Sequence, residues 1–457
     1  MVAKVDTIRS NPLMAMKMAD DQFKEEEIKK DRESRHENST LQMFIGMLPF
    51  RARESSADEL METVILEKTI IKLGSLLALG FGEAGASIIE TNMHGVNSAC
   101  VNAMVEGTRV DAVIGVARIR DFSTATEVLQ TNVMTFVNRI AEIVHGVANE
   151  FYGAANKNNG DTFLVIWRKW EDMEDVKLQK LADMAIIAFV RILASIHKSP
   201  VLAEYRGHPG LQRRLGANCR VNISSGLHFG SVIEGAIGTE FKIDASYLSP
   251  NVSIAYTVER ATRIYGVSIL VAESVIRICT PALATKCRLI DCVVITGSAS
   301  PIELYTIDLD YKCLAVESAP NSWIRWTPKA RFRVRQFMEA EKALKWHEDV
   351  HMVDLFRQHP DIVAMRMRYT LEFSHIFNMG YQNYTLGEWQ VAKRLLSLTL
   401  NLLGTEDGPS AALLCFMAEP HNYVPPRTWR GVRQLEAKEL SPGGPFHDRR
   451  PALWLQL

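Results

Sequence analysis

Four glycines recur along one apolar stretch near the middle of the chain, and they constrain its backbone more than any other feature. They stand at positions 226, 230, 235 and 238. Because glycine has no Cβ atom, a strand can turn sharply here and its backbone can lie close to another group. The pattern by itself predicts a tight hairpin, and it also fits a backbone that contacts phosphate.

Strand and helix patterns interleave around this stretch. Apolar runs of strand length alternate with segments whose apolar residues recur every three or four positions, the period of a helix. Alternation of this kind, with antiparallel hairpins, predicts an α+β fold with one sheet and flanking helices. The strands are predicted at 110–116, 220–228, 267–272, 287–295 and 302–307, and the helices at 132–147, 175–195 and 252–265.

A hairpin is predicted over Phe151–Trp167. Asn159-Gly160 is a strong two-residue turn signal, in which both residues are expected to take positive φ. The neighbouring Asp161 then presents a carboxylate at a rigid tip, where a hard divalent cation can bind. A Gly-Asp turn is also common in proteins without metal, so an ordinary solvated turn is the alternative.

The composition excludes several classes of function. The 457 residues suffice for two or three domains, and the net charge of −1 favours neither nucleic acid nor an anionic membrane as a partner. Seven cysteines without zinc-site spacing are typical of reduced thiols. Lys72 and Glu83 interrupt the apolar segment Thr69–Ile89, so its longest run is too short to cross a bilayer. We therefore expect a cytoplasmic protein with no membrane span in this chain, alone or as the cytosolic part of a membrane-associated assembly.

In this order and spacing, five segments resemble the catalytic domain of the class III adenylate and guanylate cyclases, the nucleotidyl cyclases. They are Ala117–Ser123, Lys157–Asp161, the glycine series, Asp244–Thr257 and Ile295–Gly297. The resemblance spans residues 107–310. It implies a ferredoxin-like antiparallel sheet with flanking helices, and the chain resembles a degenerate member because several motif positions are substituted.

The resemblance implies a dimer whose nucleotide lies between the two chains. Two aspartates of the family hold two Mg²⁺ or Mn²⁺ ions, which offset charge on the attacking and leaving oxygens. Asp161 matches the second of these aspartates. The first position falls on Arg118, a side chain that repels cations, and Asp121 three residues later is a weak substitute.

The family residues that orient the ribose and stabilise the transferring phosphoryl group are also changed. The family has an asparagine and an arginine where this chain has Ser253 and Thr257, and neither can replace an arginine. The nucleotide-binding pair is better preserved, because Lys157 matches a lysine that suits adenine and Ser246 keeps the hydroxyl expected opposite it. ATP is therefore favoured over GTP, and a solvated hairpin lysine is the alternative interpretation of Lys157.

The rest of the chain is predicted to be helical. Tyr369–Leu403 carries spaced aromatic residues typical of one tetratricopeptide-like unit, which must dock on another surface. The predicted domains are a charged helical or disordered arm at 1–57, a helical dimerisation or linker segment at 58–106, the cyclase-like domain at 107–310, a helical connector at 311–360, a tetratricopeptide-like tail at 361–440 and a disordered C-terminus at 441–457.

The resemblance leaves three functions open. The first is a cyclase-domain protein of cyclic-nucleotide signalling, which converts a nucleoside triphosphate to cyclic nucleotide and pyrophosphate when dimerised with a complementary partner. The second is a catalytically inactive homologue that acts as a regulatory or structural subunit of a homodimer or heterodimer. The third is a metal-free ligand sensor that uses the same cleft.

Overall fold

The computed structural model describes residues 105–217, 219–239, 242–295, 298, 300–318, 337–435 and 439–440, with seven isolated helical residues between positions 66 and 88. Its contacts divide the chain into two units. One comprises 109–233, 247–319 and 345–457, and the other comprises 1–108, 234–246 and 320–344. The predicted arm at 1–57, most of the segment at 58–106, the C-terminus at 441–457 and the motif residues Thr296 and Gly297 lie outside the described residues.

Among the described residues, nine strands form one sheet. They are β1 (Thr108–Ile119), β2 (Ala154–Asn159), β3 (Thr162–Arg168), β4 (Ile223–Thr239), β5 (Lys242–Leu248), β6 (Ile269–Ala272), β7 (Cys287–Val294), β8 (Ile302–Ile307) and β9 (Arg433–Gln434). The order across the sheet is β2-β3-β1-β4-β6-β8-β7-β9, and β5 pairs with β4 outside this path.

Helices connect and cover these strands. The α-helices are α1 (Phe122–Leu129), α2 (Val133–Glu150), α3 (Asp175–Lys198), α4 (Pro200–Glu204), α5 (Pro209–Leu215), α6 (Pro250–Tyr265), α7 (Glu273–Ile276), α8 (Pro281–Ala284), α9 (337–344), α10 (Leu355–Gln358), α11 (Pro360–Arg366), α12 (Leu371–Leu386), α13 (Trp389–Leu403) and α14 (Gly408–Ala418). Short 3₁₀ turns occupy Gln130–Asn132, Tyr205–Gly207, Tyr311–Cys313 and Met352–Asp354.

The predicted fold class is confirmed, since a single sheet is flanked by helices in an α+β arrangement. β1 and β2 each pair antiparallel with β3, and β6 and β7 each pair antiparallel with β8. Two pairs are nevertheless parallel, β4 with β6 and β7 with β9, whereas the resemblance implies an antiparallel sheet. The parallel arrangement of β4 and β6 follows from the helical connection through α6, because adjacent parallel strands need a long crossover.

The predicted hairpin is present, but its turn lies one residue further along the chain. Asn159 pairs with Thr162, so the two loop residues are Gly160 and Asp161. Gly160 has φ 60° and Asn159 is not in the positive region, so the prediction of positive φ at both positions of Asn159-Gly160 is wrong. Glycine is favoured at the first loop position of a type II′ hairpin, which accounts for the shift.

The two faces of the sheet pack into two separate cores. Alternate residues of a strand point to opposite faces, and β6 shows this directly. Val271 belongs to a core formed with α2 and α3, whereas Leu270 and Ala272 belong to a core formed with α6 and α12–α14. The helix α6 therefore lies on the face opposite α2 and α3, and this arrangement positions the candidate site.

The helices α12–α14, which include the predicted tetratricopeptide-like unit, pack on the second face of the sheet. Phe377, Tyr384 and Trp389 are almost fully buried in the second core. At its edge, the buried guanidinium of Arg288 on β7 contacts Asp407, which caps the first turn of α14. The surface on which these helices dock is therefore the α6 face of the sheet.

The long helix α3 is a core element. Met184, Ile187 and Phe189 are almost fully buried. Within the described ranges, no single helix combines the length and the low charge needed to span a membrane; α3 and the helical segment that follows it, bent by 54°, meet that test only together.

Candidate functional site

The end of β1 lies beside the β2–β3 hairpin loop. Arg118 is opposite Thr162 in the antiparallel register of β1 and β3. The backbone N–H of Ile119 donates a hydrogen bond of 2.8 Å to the carbonyl oxygen of Asp161. The sheet therefore brings together the two positions that the motifs assign to metal binding.

The guanidinium of Arg118 lies between two carboxylates. Its Nη1 atom is 3.2 Å from Oδ2 of Asp161, and its Nε atom is 2.8 Å from Oε2 of Glu259. The side chains of Arg118 and Asp161 are 19% and 24% exposed, and that of Glu259 is fully buried. A side-chain cation thus contacts the carboxylate that the resemblance assigns to a metal.

Glu259 reaches this position because α6 lies very close to β4. A Cβ atom added to Gly226 would lie 2.4 Å from the backbone nitrogen of Glu259, so only glycine allows this approach. The hydroxyl of Ser224 donates a hydrogen bond of 2.7 Å to Oε1 of Glu259. The first glycine of the series therefore serves helix packing in this chain.

The Arg118 guanidinium is held in its charged form. Burial alone would lower the pKa of Arg118, but Glu259 and Asp161 raise it overall. The positive charge of Arg118 would therefore repel a metal cation that approaches Asp161.

The side chains at this place do not fit Mg²⁺ or Mn²⁺. Asp161 already accepts hydrogen bonds from Arg118 and from the hydroxyl of Thr162, the latter at 2.8 Å. Over the residues that the structure describes, no group of three or more histidine, cysteine, aspartate or glutamate side chains is arranged to hold a metal ion. Asp121, at the start of α1 with φ 54°, is exposed and lines a cavity whose walls include Arg206 and Arg220.

Ser253 and Thr257 lie one helical turn apart on α6. Ser253 is exposed and Thr257 is half-buried. The Thr257 hydroxyl donates a hydrogen bond of 2.9 Å to the carbonyl oxygen of Ser253, so it serves its own helix. Neither position presents a cation or an amide.

Lys157 and Ser246, the two predicted nucleotide-binding residues, belong to different units. Lys157 is half-buried on β2, opposite Leu164 and next to a register shift that follows Ala155. Ser246 lies on β5, where its side chain is buried and its hydroxyl is 3.5 Å from the carbonyl oxygen of Asp244.

His228, which matches the histidine of the glycine motif, has a structural environment. Its ring nitrogens lie 3.1 Å from Oδ1 of Asn251 and 3.0 Å from Oγ of Ser274. Burial lowers the pKa of His228, which favours the neutral ring. This side chain therefore joins α6 and α7 to β4.

Comparison with known proteins gives partial matches. An adenylate cyclase of Anabaena cylindrica is 29% identical over 115 residues, which are 25% of this chain and 23% of that protein. A bacterial light-regulated adenylyl cyclase has 19% identity and a TM-score of 0.41, over 63% of this chain and 71% of that one. An adenylyl cyclase from P. aeruginosa has 18% identity and a TM-score of 0.34, over 44% of this chain and 95% of that one. The family model of the RasGEFs all helical domain matches residues 1–94.

The chain is thus similar to adenylyl cyclases over part of its length. It spans less than a quarter of the curated relative that it matches.

Proposed function

We propose that the chain is a nucleotidyl-cyclase-like subunit of cyclic-nucleotide signalling that pairs with a complementary cyclase domain and makes no cyclic nucleotide alone. The observation that carries this proposal is the guanidinium of Arg118, which lies between Asp161 and Glu259. Because a fixed cation contacts the remaining metal carboxylate, a cleft built from two copies of this chain lacks a place for divalent ions.

Ser253 and Thr257, which stand where the family has an asparagine and an arginine, also lower the catalytic rate expected of a homodimer. An arginine aimed at a transferring phosphoryl group contributes through its fixed positive charge, and removing one such group costs roughly 10² to 10³ in rate. The Thr257 hydroxyl is already engaged with its own helix. A homodimer that has Arg118 at the metal position and lacks the family arginine is therefore expected to make no cyclic nucleotide.

The second candidate is a contributing subunit of an active heterodimer. It is favoured by Lys157 and Ser246, which keep the residue types that the resemblance assigns to adenine recognition. A partner that supplies the metal carboxylates, the asparagine and the arginine would complete one site, with ATP preferred over GTP.

The experiment that tests the proposal measures cyclic-nucleotide production from ATP or GTP with Mn²⁺. The purified chain is assayed alone and then mixed with a full-motif cyclase domain from the same source, while light scattering reports dimer formation. We expect mixed dimers to form and the chain alone to make no product. Product from the chain alone contradicts the proposal. If the mixture makes product and Asp161→Ala in this chain abolishes it, the second candidate, an active heterodimer, is established instead. The nucleotide that is consumed then tests whether Lys157 favours ATP over GTP.

A further inference from the structure

A cationic cavity of about 810 Å³ opens near the N-terminal end of α1. The α5 helix, the connection from α5 to β4 and the turn after β8 form its walls. Its charged lining residues are Arg206, Arg214, Arg220 and Lys312, with the single carboxylate of Asp121. Among the described lining residues, positive charge is therefore in clear excess.

Part of this positive charge has no ion-pair partner among the described residues. The Nη1 atom of Arg220 is buried and has no hydrogen-bond partner among the described residues. Arg206 donates a hydrogen bond of 2.7 Å to the carbonyl oxygen of His197, a neutral acceptor, and its pKa is lowered by burial and by Arg220. A half-buried guanidinium without a carboxylate partner is costly, and a bound anion would offset that cost.

The other two cations of the cavity, Arg214 and Lys312, are exposed to solvent. Arg214 is 3.2 Å from Glu127, and both side chains are exposed, so this pair is weak. Lys312 is exposed at the rim. The half-buried arginines and the rim lysine together resemble the arrangement that binds phosphate, because arginine offers a planar fork and lysine a mobile charge.

One wall of the cavity is flat and aromatic. The ring of Tyr311 stacks on the ring of His197 with centroids 4.0 Å apart, and the Tyr311 hydroxyl accepts a hydrogen bond of 3.1 Å from the Asn222 amide. Burial, together with Arg206 and Arg220, lowers the pKa of His197 to about 3, so this wall is uncharged at neutral pH. The volume is that of a pocket for a whole small molecule, well beyond a single phosphate ion.

We infer that this cavity binds a small, soluble molecule that carries a phosphate group. The phosphate is held by Arg206, Arg220 and Lys312, and the body of the molecule lies against Tyr311. The inference does not rest on the proposed cyclase-like function, since the cationic residues of the cavity belong to none of the cyclase motifs and only its carboxylate, Asp121, does. Arg206 and Arg220 are half-buried in the recess, and this favours a soluble molecule over a membrane headgroup.

The test is calorimetric titration of the full chain with ribose 5-phosphate and inorganic phosphate, with ribose as the uncharged comparison. We expect ribose 5-phosphate to bind and ribose not to bind. Arg220→Gln and Lys312→Gln are each expected to weaken binding by about tenfold or more, because each removes a charge-assisted contact. Arg213→Gln is the matched control, since Arg213 is exposed on α5 and outside the cavity lining.

Three results would overturn the inference. One is the absence of binding by the unaltered chain, and another is equal affinity in the Arg220→Gln and Lys312→Gln variants. If Arg220→Gln does not fold, Lys312→Gln decides the matter, because its exposed side chain can change without disturbing the core. The third is co-sedimentation with phosphatidic acid vesicles that requires Arg220, which would assign the site to a membrane.

Discussion

The Nε atom of Arg118 lies 2.8 Å from Oε2 of Glu259, although 141 positions separate the two residues in the chain. The contact links the end of β1 to the middle of α6 across one face of the sheet. It gives the buried Glu259 a partner, and it places a positive charge against Asp161. The Arg118 side chain thus pairs with the buried Glu259 and also occupies the position beside Asp161 that a divalent ion would need.

Arg118→Met should destabilise the protein by about 3 kcal/mol, the lower end of the cost of leaving a buried charge unpaired, because Arg118 itself is partly exposed. Glu259 would then lose its ion pair with Arg118. Urea denaturation measures the free energy of unfolding. Arg139→Met is the control, since its pair with Glu142 is exposed and should contribute less than about 1 kcal/mol. An unchanged unfolding midpoint for Arg118→Met would show that the buried pair does not stabilise the fold.

Gly226→Ala should be strongly destabilising and should displace Glu259 from Arg118. The added Cβ atom would lie 2.4 Å from the backbone nitrogen of Glu259, and a backbone atom cannot move away without shifting α6. Gly146→Ala is the matched control. No atom lies within 4 Å of a Cβ at Gly146 in α2, so alanine there should stabilise by about 0.5 to 1 kcal/mol. Thermal unfolding of both variants checks the contrast, and equal melting temperatures would refute the close packing of β4 and α6.

Asp183→Asn should change how stability depends on pH. Burial raises the pKa of Asp183 to about 6, although Thr280 donates hydrogen bonds to it from its backbone N–H and its hydroxyl. The unfolded chain loses this proton near pH 4, whereas the folded chain keeps it until about pH 6. The Asp183 contribution to stability is therefore complete below about pH 4 and falls as the pH rises through 6.

The measurement compares the free energy of unfolding of Asp183→Asn and the unaltered protein at pH 4 and pH 7. The variant should gain about 2 to 3 kcal/mol relative to the unaltered protein over this range. His197, whose pKa is lowered to about 3, acts in the opposite direction but is present in both proteins, so the comparison isolates Asp183. A constant difference between the two proteins would show that Asp183 is not buried as described.

Arg288→Gln should loosen the C-terminal helices from the sheet. The Arg288 guanidinium lies 2.6 Å from Asp308 and 2.9 Å from Asp407, and all three side chains are less than 10% exposed. Loss of the cation leaves two buried carboxylates, which should cost at least about 3 kcal/mol. Limited trypsin digestion should then release the segment after α11 sooner than in the unaltered protein. Arg277→Gln is the control, because Arg277 is exposed and pairs with Glu273, and this variant should be digested at the same rate as the unaltered protein. An unchanged digestion rate for Arg288→Gln would contradict the proposal that Arg288 holds the C-terminal helices on the sheet.

The sequence predicted the local elements well, because their signals are local. The strand β8 has the predicted bounds, and the helix predicted at 252–265 begins at Pro250, where Ser249 caps it. The hairpin signal at Asn159-Gly160 identified the correct turn within one residue. Each of these follows from the residue period or from the conformational preference of one glycine.

The site was predictable only in part, since its central contact is long-range. The motif order identified Arg118 and Asp161 as neighbours, and the hydrogen bond from Ile119 to Asp161 agrees. Glu259 was missed, although an acidic residue between Val258 and Ala261 on the apolar face of a predicted helix is a signal of a buried partner. The cationic cavity was missed because most of its lining residues lie in short helices and turns between 206 and 222 that have no periodic pattern, and the others come from distant parts of the chain.

Titration of Mn²⁺ followed by electron paramagnetic resonance tests the central claim most directly. The unaltered chain should leave the spectrum of free Mn²⁺ unchanged, because Arg118 excludes the ion from Asp161. Arg118→Asp combined with Glu259→Gln should bind Mn²⁺, because two carboxylates then face each other without a cation. Binding of Mn²⁺ by the unaltered chain that is lost with Asp161→Ala would contradict the account.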